Sequence, residues 1–264
     1  MLLSDIFDNL AAGEFSQIKI GGTPLNQIQP EHVKQILTHV NLGLQDLYRK
    51  FSIVRGELTL KLQKGVYVYK LDTSKSLAKA YADAQKWVDE HPGQPAPIVD
   101  PRLYYIDDLD NPFRGDINKI EQLNLDSNFI LPINDTNVIS AKNNTQLELI
   151  IPKMIVDQVD IPSARYATEF IAVSYRAKPV LITRGMQQYY EPCSIEIPLP
   201  DLYMQALLYF IASRVLTPIG SVDEYKPGDN YSAKYQQECQ NLMSLGFDLT
   251  ESNTITSLRT RGFV

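Results

Sequence analysis

Histidine and cysteine are scarce in this chain: three of the first and two of the second among 264 residues. His32 and His39 lie about two turns apart on one predicted helix, too far along its axis to share an ion as an i, i+4 pair does. There is no Cys-x-x-Cys, and Cys193 and Cys239 read as small apolar core residues of a reducing compartment. A basic balance is missing too. The net charge is −6, which argues against a grip on nucleic acid through phosphate neutralisation. It fits copies that repel one another in solution, or a surface past which nucleic acid slides. Long hydrophobic runs are absent. The longest, Leu202 to Leu216, is interrupted by Gln205, Ser213 and Arg214 and is too short to span a bilayer. The opening MLLSDIFDNLAAGEF has Asp5 and Asp8 and no basic start, so a secretory signal is not expected there.

Catalytic patterns are equally thin. No G-x-S-x-G elbow occurs, and Gly21-Gly22-Thr23 lacks the lysine and spacing of a phosphate loop. No pair of carboxylates stands in a recognisable motif. No catalytic residue and no cofactor is therefore expected. The one ion candidate is YIDDLDNPFRGD, where Asp107, Asp108, Asp110 and Asp116 bring hard oxygen ligands close together. Its register does not match an EF-hand, and it reads first as a solvated, turn-forming acidic loop.

What is present is ordinary globular material: 44% hydrophobic and 21% charged residues, enough for a real core. Ser4 is placed to cap a short helix that ends at Gly13, and residues 1–29 read as an N-terminal arm. Pro30 opens the clearest helix, in which Val33, Ile36, Leu37, Val40, Leu44, Leu47 and Phe51 follow at three- and four-residue steps. The alternation of ELTLKLQKGVYVYKL predicts a hairpin turning at Gln63-Lys64-Gly65. Residues 72–127 read as an acidic insertion with a helix over 75–90 and a proline-rich tail, PGQPAPIVDP. Its 11 acidic and 6 basic residues over 72–126 hold much of the chain's negative charge.

Short β-branched runs from 128 to 198 predict a β domain of sandwich or barrel-like form. The segment DLYMQALLYFIASRVL is apolar nearly all round and calls for burial on most sides. Tyr231, Tyr235, Cys239, Leu242 and Leu245 form a further stripe, closed by Gly246 as a helix cap. Residues 30–71 with 199–250 then make a helical core, and 251–264 a tail. The class expected is α+β: a helical bundle with a β domain and an acidic helical insertion.

The order of these strings carries a resemblance. PEHVKQILTHVNLGLQDLYRKFSI leads into ELTLKLQKGVYVYKL. Then come GDINKIEQLNLDSNFILPIND, ELIIP and FIAVSYRAKPVLI. Last, SIEIPLP runs into DLYMQALLYFIASRVL and YSAKYQQECQNLMSLGF. Over roughly Pro30 to Phe247 this resembles the podophage head-to-tail adaptors, the family that includes tail tubular protein A. IPLPDLYMQALLYFIASR is the most telling phrase. The helix 75–90 with its proline-rich tail departs from the shorter members.

The resemblance implies a structural subunit of the virion head–tail junction, assembled in the host cytoplasm. It implies a dodecameric ring on the portal protein that continues the DNA channel, without sequence-specific binding, and docks tail nozzle or tail fibre proteins. Some adaptors are credited with cell-wall hydrolase activity, and no residue here matches such a site. Within this reading, Tyr203, Leu207, Phe210 and Arg214 of the apolar helix are candidates for contact between copies, the alternative being a core helix of one monomer. Arg259, Arg261, Phe263 and Val264 of the tail are candidates for portal docking. Two other functions compete. One is a glycan-binding module using Tyr175, Tyr189 and Tyr190. The other is a peptidoglycan hydrolase.

Overall fold

A computed structural model of the chain describes residues 1–15, 30–125, 129–145, 147–159, 168–183, 195–216 and 227–247. The fold is mixed helix and sheet, as the α+β reading expects. The chain divides into two units. Unit 1 is Met1–Ile53 with Pro179–Val264, and unit 2 is Val54–Lys178.

Unit 1 is built on helices. In α1 (Leu3–Asn9) the cap differs from expectation: Asp5 Oδ2 accepts the Leu2 N–H at 2.9 Å, and Ser4 lies inside the helix. A π-helical turn, Leu10–Glu14, continues it. Leu3, Ile6, Leu10 and Phe15 are all fully buried in the unit 1 core, so the first fifteen residues are not a free arm. The start of the chain also pairs with residues 195–197, through Leu3 N–H to Ile195 O at 2.9 Å and Ile197 N–H to Met1 O at 2.8 Å. Residues 195–198 therefore belong with the helices and not with the β domain to which the sequence reading assigned them.

Helix α2 (Pro30–Lys50) follows the predicted stripe, with Ile36, Leu37, Val40, Leu44 and Leu47 buried. Helix α5 (Met204–Val215) follows a single 3-10 turn, Asp201–Tyr203, and buries Ala206, Leu207, Leu208, Phe210, Ile211, Ala212 and Ser213. Burying a Leu, Ile or Phe contributes about 1.5–3 kcal/mol each, so α2 and α5 are both main sources of unit 1's stability. Gly43 lets α2 and α5 approach. A Cβ there would stand 2.5 Å from Leu207 Cδ1 and 3.0 Å from Phe210 Cδ1. Helix α6 (Pro227–Leu242) adds Tyr235, Cys239 and Leu242 to the core. Leu245, expected in that stripe, is 70% exposed, because the chain leaves the α-helix in a π-turn ending at left-handed Gly246 (φ 79°).

The described residues of unit 2 form two sheets. The strands are β1 (Arg55–Lys61), β2 (Val68–Lys70), β3 (Ile106–Asp107), β4 (Ile117–Asn124), β5 (Ile130–Leu131), β6 (Lys142–Thr145), β7 (Glu148–Ile150) and β8 (Phe170–Ala177). One sheet runs β3-β1-β8-β4-β5 and the other β2-β7-β6. Among the described residues two α-helices accompany them, α3 (Leu77–Glu90) and the short α4 (Lys153–Val156). Leu58 and Leu60 of β1 face Val173 and Ile171 of β8, and Tyr69 of β2 faces Leu149 of β7. All six belong to one apolar core.

Three expectations fail here. ELTLKLQKGVYVYKL is no hairpin: after the turn at Gly65, β2 pairs with β7 in the second sheet, while β1 pairs with β3 and β8. Residues 72–127 are no insertion, since they supply β3 and β4 to the main sheet. Described residues 179–183, inside the predicted β domain, form no strand and belong to unit 1.

Strand β1 carries a second tight glycine. The Tyr175 ring lies over Gly56, its cross-strand partner, where a Cβ would come within 2.3 Å of the ring. At the same end of the pair, Arg55 and Arg176 face each other. Glu121 of β4 separates them, accepting Arg176 Nε at 2.5 Å and pairing with Arg55 Nε at 3.2 Å.

The α2–α5 approach is tested by Gly43→Ala. Overpacking costs about 1–3 kcal/mol and exceeds the gain of up to ~1 kcal/mol in helix propensity. Chemical denaturation is expected to show a net loss of about 1 kcal/mol, and a larger loss for Gly43→Val.

Candidate interaction surface

Three of the four residues predicted to meet a neighbouring copy are turned inward. Tyr203, Leu207 and Phe210 are buried in unit 1's own core, so their apolar surface is covered by their own chain. Tyr203 packs on Phe51 with ring centroids 5.2 Å apart, and Phe210 meets Tyr235 edge-on at 5.3 Å. Arg214 alone of the four is exposed, with its guanidinium 5.4 Å from the Phe210 ring. The other predicted set, Arg259, Arg261, Phe263 and Val264, lies outside the described residues, as do Cys193, Tyr189 and Tyr190.

Beside Arg214 is a hollow of about 380 Å³ lined by Asp46, Lys50, Tyr235 and neighbours. The Tyr235 hydroxyl donates to Asp46 Oδ2, and Lys50 Nζ pairs with the same oxygen at 2.9 Å and sits 4.4 Å from the Tyr235 ring centroid. Burial, reinforced by the bond to Asp46, pushes the Tyr235 phenol far above its ordinary value. Burial pushes the Asp46 carboxyl up, but the hydrogen bonds from Tyr235 and Lys50 outweigh it and leave the group below its usual value. The three groups thus satisfy one another and tie α2 to α6.

His39 is less settled. Its Nδ1 is buried with no partner, and burial together with the Arg214 charge holds the imidazole below its ordinary pKa. A lowered folded-state pKa means that the unfolded chain binds the proton first, so this contribution to stability is present above about pH 6.5 and lost as pH falls below it. The melting temperature is expected to drop between about pH 7 and 5. His39→Gln should flatten that drop, and an unchanged slope would show that other groups cause it.

The acidic loop divides. Asp107 lies in β3 opposite Thr59, Asp110 is exposed, and Asp116 Oδ1 accepts the Tyr175 hydroxyl at 3.1 Å. Asp108 is buried, contrary to a solvated loop. Its carboxylate accepts from Ser76 Oγ at 2.6 Å, Ala78 N at 3.0 Å and Phe113 N at 2.8 Å. Ser76 in turn caps α3 by accepting from Lys79 N at 3.0 Å. Asp108 therefore fixes the first turn of α3, and among the described residues no three His, Cys, Asp or Glu side chains gather as a metal site needs. Tyr175 is buried under Phe113 and over Gly56, not presented to a sugar.

Unit 2 carries two open apolar surfaces. From His91 to Leu103 no side chain is buried, although the stretch contains Pro92, Pro95, Pro97, Ile98, Val99, Pro101 and Leu103. Ile98 is 97% exposed and Leu103 60%. Both ends are fastened. His91 stacks on Trp87 at 4.5 Å, and Arg102 O accepts Gln63 Nε2 at 2.8 Å. Between them the prolines restrict the backbone, and turns add Gln94 N–H to His91 O at 3.2 Å and Leu103 N–H to Asp100 O at 3.0 Å. The loop stands off α3, leaving a hollow of about 390 Å³ floored by Trp87 and Ala80.

A second apolar opening, of about 530 Å³, is lined by Val138, Ile139, Pro152 and Met154 with Lys142 and Asp135. Its loop is held in shape. Asn134, in the left-handed region (φ 57°), exchanges hydrogen bonds with Asn143, and Asp135 Oδ1 accepts Asn137 N at 2.8 Å.

In comparisons with protein families and with curated proteins, no family and no curated relative matches this chain. The reading of its function rests on its own residues.

Sequence reasoning marked PGQPAPIVDP only as a loop and did not single out Ile98, Val138, Ile139 or Met154. Their signal, apolar side chains flanked by turn formers, is also that of a buried corner. The anchoring role of Asp108 is tested by Asp108→Ala, which removes three hydrogen bonds to a charged acceptor. Stability is expected to fall by about 3 kcal/mol, with loss of helix α3 by circular dichroism.

Proposed function

We propose that this chain is a structural subunit of a phage head-to-tail adaptor, acting by association and not by catalysis. The observation that carries the reading is the order of its parts. A long amphipathic helix, Pro30–Lys50, runs into a β unit, and the chain returns to an apolar helix, Met204–Val215, followed by a closing helix, Pro227–Leu242. That is the order in which the strings resembling the adaptors occur. The finer description, a helical bundle carrying a sandwich-like β domain, belongs to the same proposal. So do the dodecameric ring, the portal below the head, the tail nozzle or fibres as further partners, and the virion as location.

Two physical features support it. Apolar side chains stand open on a fixed scaffold, as a surface awaiting a protein partner does. The negative net charge suits a channel wall that repels phosphate and lets DNA pass. The repulsion is screened over about 8–10 Å in physiological salt, so only residues near the lumen act.

The test is assembly. Mixed with the portal protein of the same virion at micromolar concentration, the chain is expected to add a layer of density to the portal ring in electron micrographs. A portal that stays bare contradicts the reading, and so does clearing of cell walls in a zymogram that depends on a single Asp or Glu.

A further inference from the structure

We infer that copies of this chain associate head-to-tail through unit 2, with the proline-rich loop around Ile98 of one copy seated in the Ile139–Met154 hollow of the next. The inference deepens the adaptor reading by naming the contact, and it rests on that reading for its biological use.

Both halves of the contact belong to unit 2. The projecting half is Ile98, 97% exposed, between Pro97 and Val99 on a loop anchored at His91 and Arg102. The receiving half is a hollow of about 530 Å³ with Val138 53%, Ile139 39% and Met154 41% exposed. The two share no residue, so a contact between them joins different patches of the two copies. A projection that fits a hollow elsewhere on the same molecule gives a heterologous contact, which closes a ring or extends a filament according to the rotation it imposes. Both halves are shaped in advance, the loop by Pro95 and Pro97 and the hollow by the Asn134–Asn143 exchange. Little ordering entropy then opposes binding.

Charge selects the pairing. Asp100 is exposed two residues beyond Ile98, and the exposed Asp89 adds negative charge where α3 leads into the loop. Lys142 lines the hollow and the exposed Lys153 stands next to Met154. Arg102 and Asp135 supply the reciprocal signs. A neighbour of this chain therefore presents opposite charge at the rim of the apolar contact, which gives register and specificity more than raw affinity.

Cross-linking of the full chain tests the geometry. A chain carrying Ile98→Cys is mixed with one carrying Ile139→Cys and oxidised, beside each variant alone and the unmodified chain. A covalent two-copy product is expected in the mixture at about tenfold excess over any single sample, because only the mixed pair is held at high effective concentration. In sedimentation without cross-linking, Ile98→Asp is expected to weaken association by about tenfold or more, and Ile98→Val to preserve it. Circular dichroism checks that each variant is folded. Equal product in mixed and single samples, association unaffected by Ile98→Asp, or a chain monomeric at every concentration overturns the inference. No portal protein is present, so the two readings fail separately. Copies that lock together while the portal stays bare defeat the adaptor reading alone. Ile98→Asp chains that still form a layer on the portal defeat this inference alone.

Discussion

The antiparallel pairing of β1 with β8 is the constraint on which the rest of the chain depends. The chain leaves unit 1 after Ile53 and comes back at Pro179. Between those points, β1 and β8 are paired without a break from Arg55↔Arg176 to Lys61↔Phe170. Unit 2 thus begins and ends on neighbouring strands, and its two ends are held together by its own ladder. Val54 O accepts Ala177 N at 2.9 Å just beyond the last pair. The ladder places two arginines side by side there, and like charges directly opposite are destabilising. Glu121 converts the repulsion into a triad. Since Arg176 is 4% exposed, removing the carboxylate would leave a buried charge with no counter-ion, the costly half of a buried ion pair.

That closure gives each unit its own core. The apolar clusters share no residue: one is made of α1, α2, α5, α6 and residues 195–199, the other of both sheets. It also explains why surface is left over. The helices of unit 1 spend their stripes on one another, so the helix that looked most suited to a neighbour exposes only the polar Gln205 and Arg214. In unit 2 the loop at Ile98 and the rim at Ile139 contribute nothing to the core, and their open apolar area is available for association.

The helices were largely legible in the sequence. Pro30, the 3.6-residue stripe of α2, the all-round apolarity of α5 and Gly246 as a terminator each rest on local chemistry, and local chemistry decides helices. The sheets were legible as strands but not as partners. β4 was missed because its buried residues, Ile117, Ile120 and Leu123, step by three. Register shifts between Ile117 and Lys119 and between Ile120 and Gln122 insert residues that break the alternation of a regular strand. The hairpin was misread because Gly65 makes a turn whether or not the strands beyond it pair, and the partner of β2 lies about eighty residues downstream in β7. Of the candidate site, only the proline-rich string was visible. Asp108 looked like its acidic neighbours, and nothing local distinguishes a carboxylate that caps a helix thirty residues away.

The most direct test of this account is to express residues 54–178 alone and follow their thermal unfolding. If β1 and β8 close the unit, the fragment unfolds in one cooperative transition and keeps its β-sheet circular dichroism, as a domain with its own core does. A fragment that binds hydrophobic dye, shows no transition and gains structure only when the remaining residues are present would contradict it.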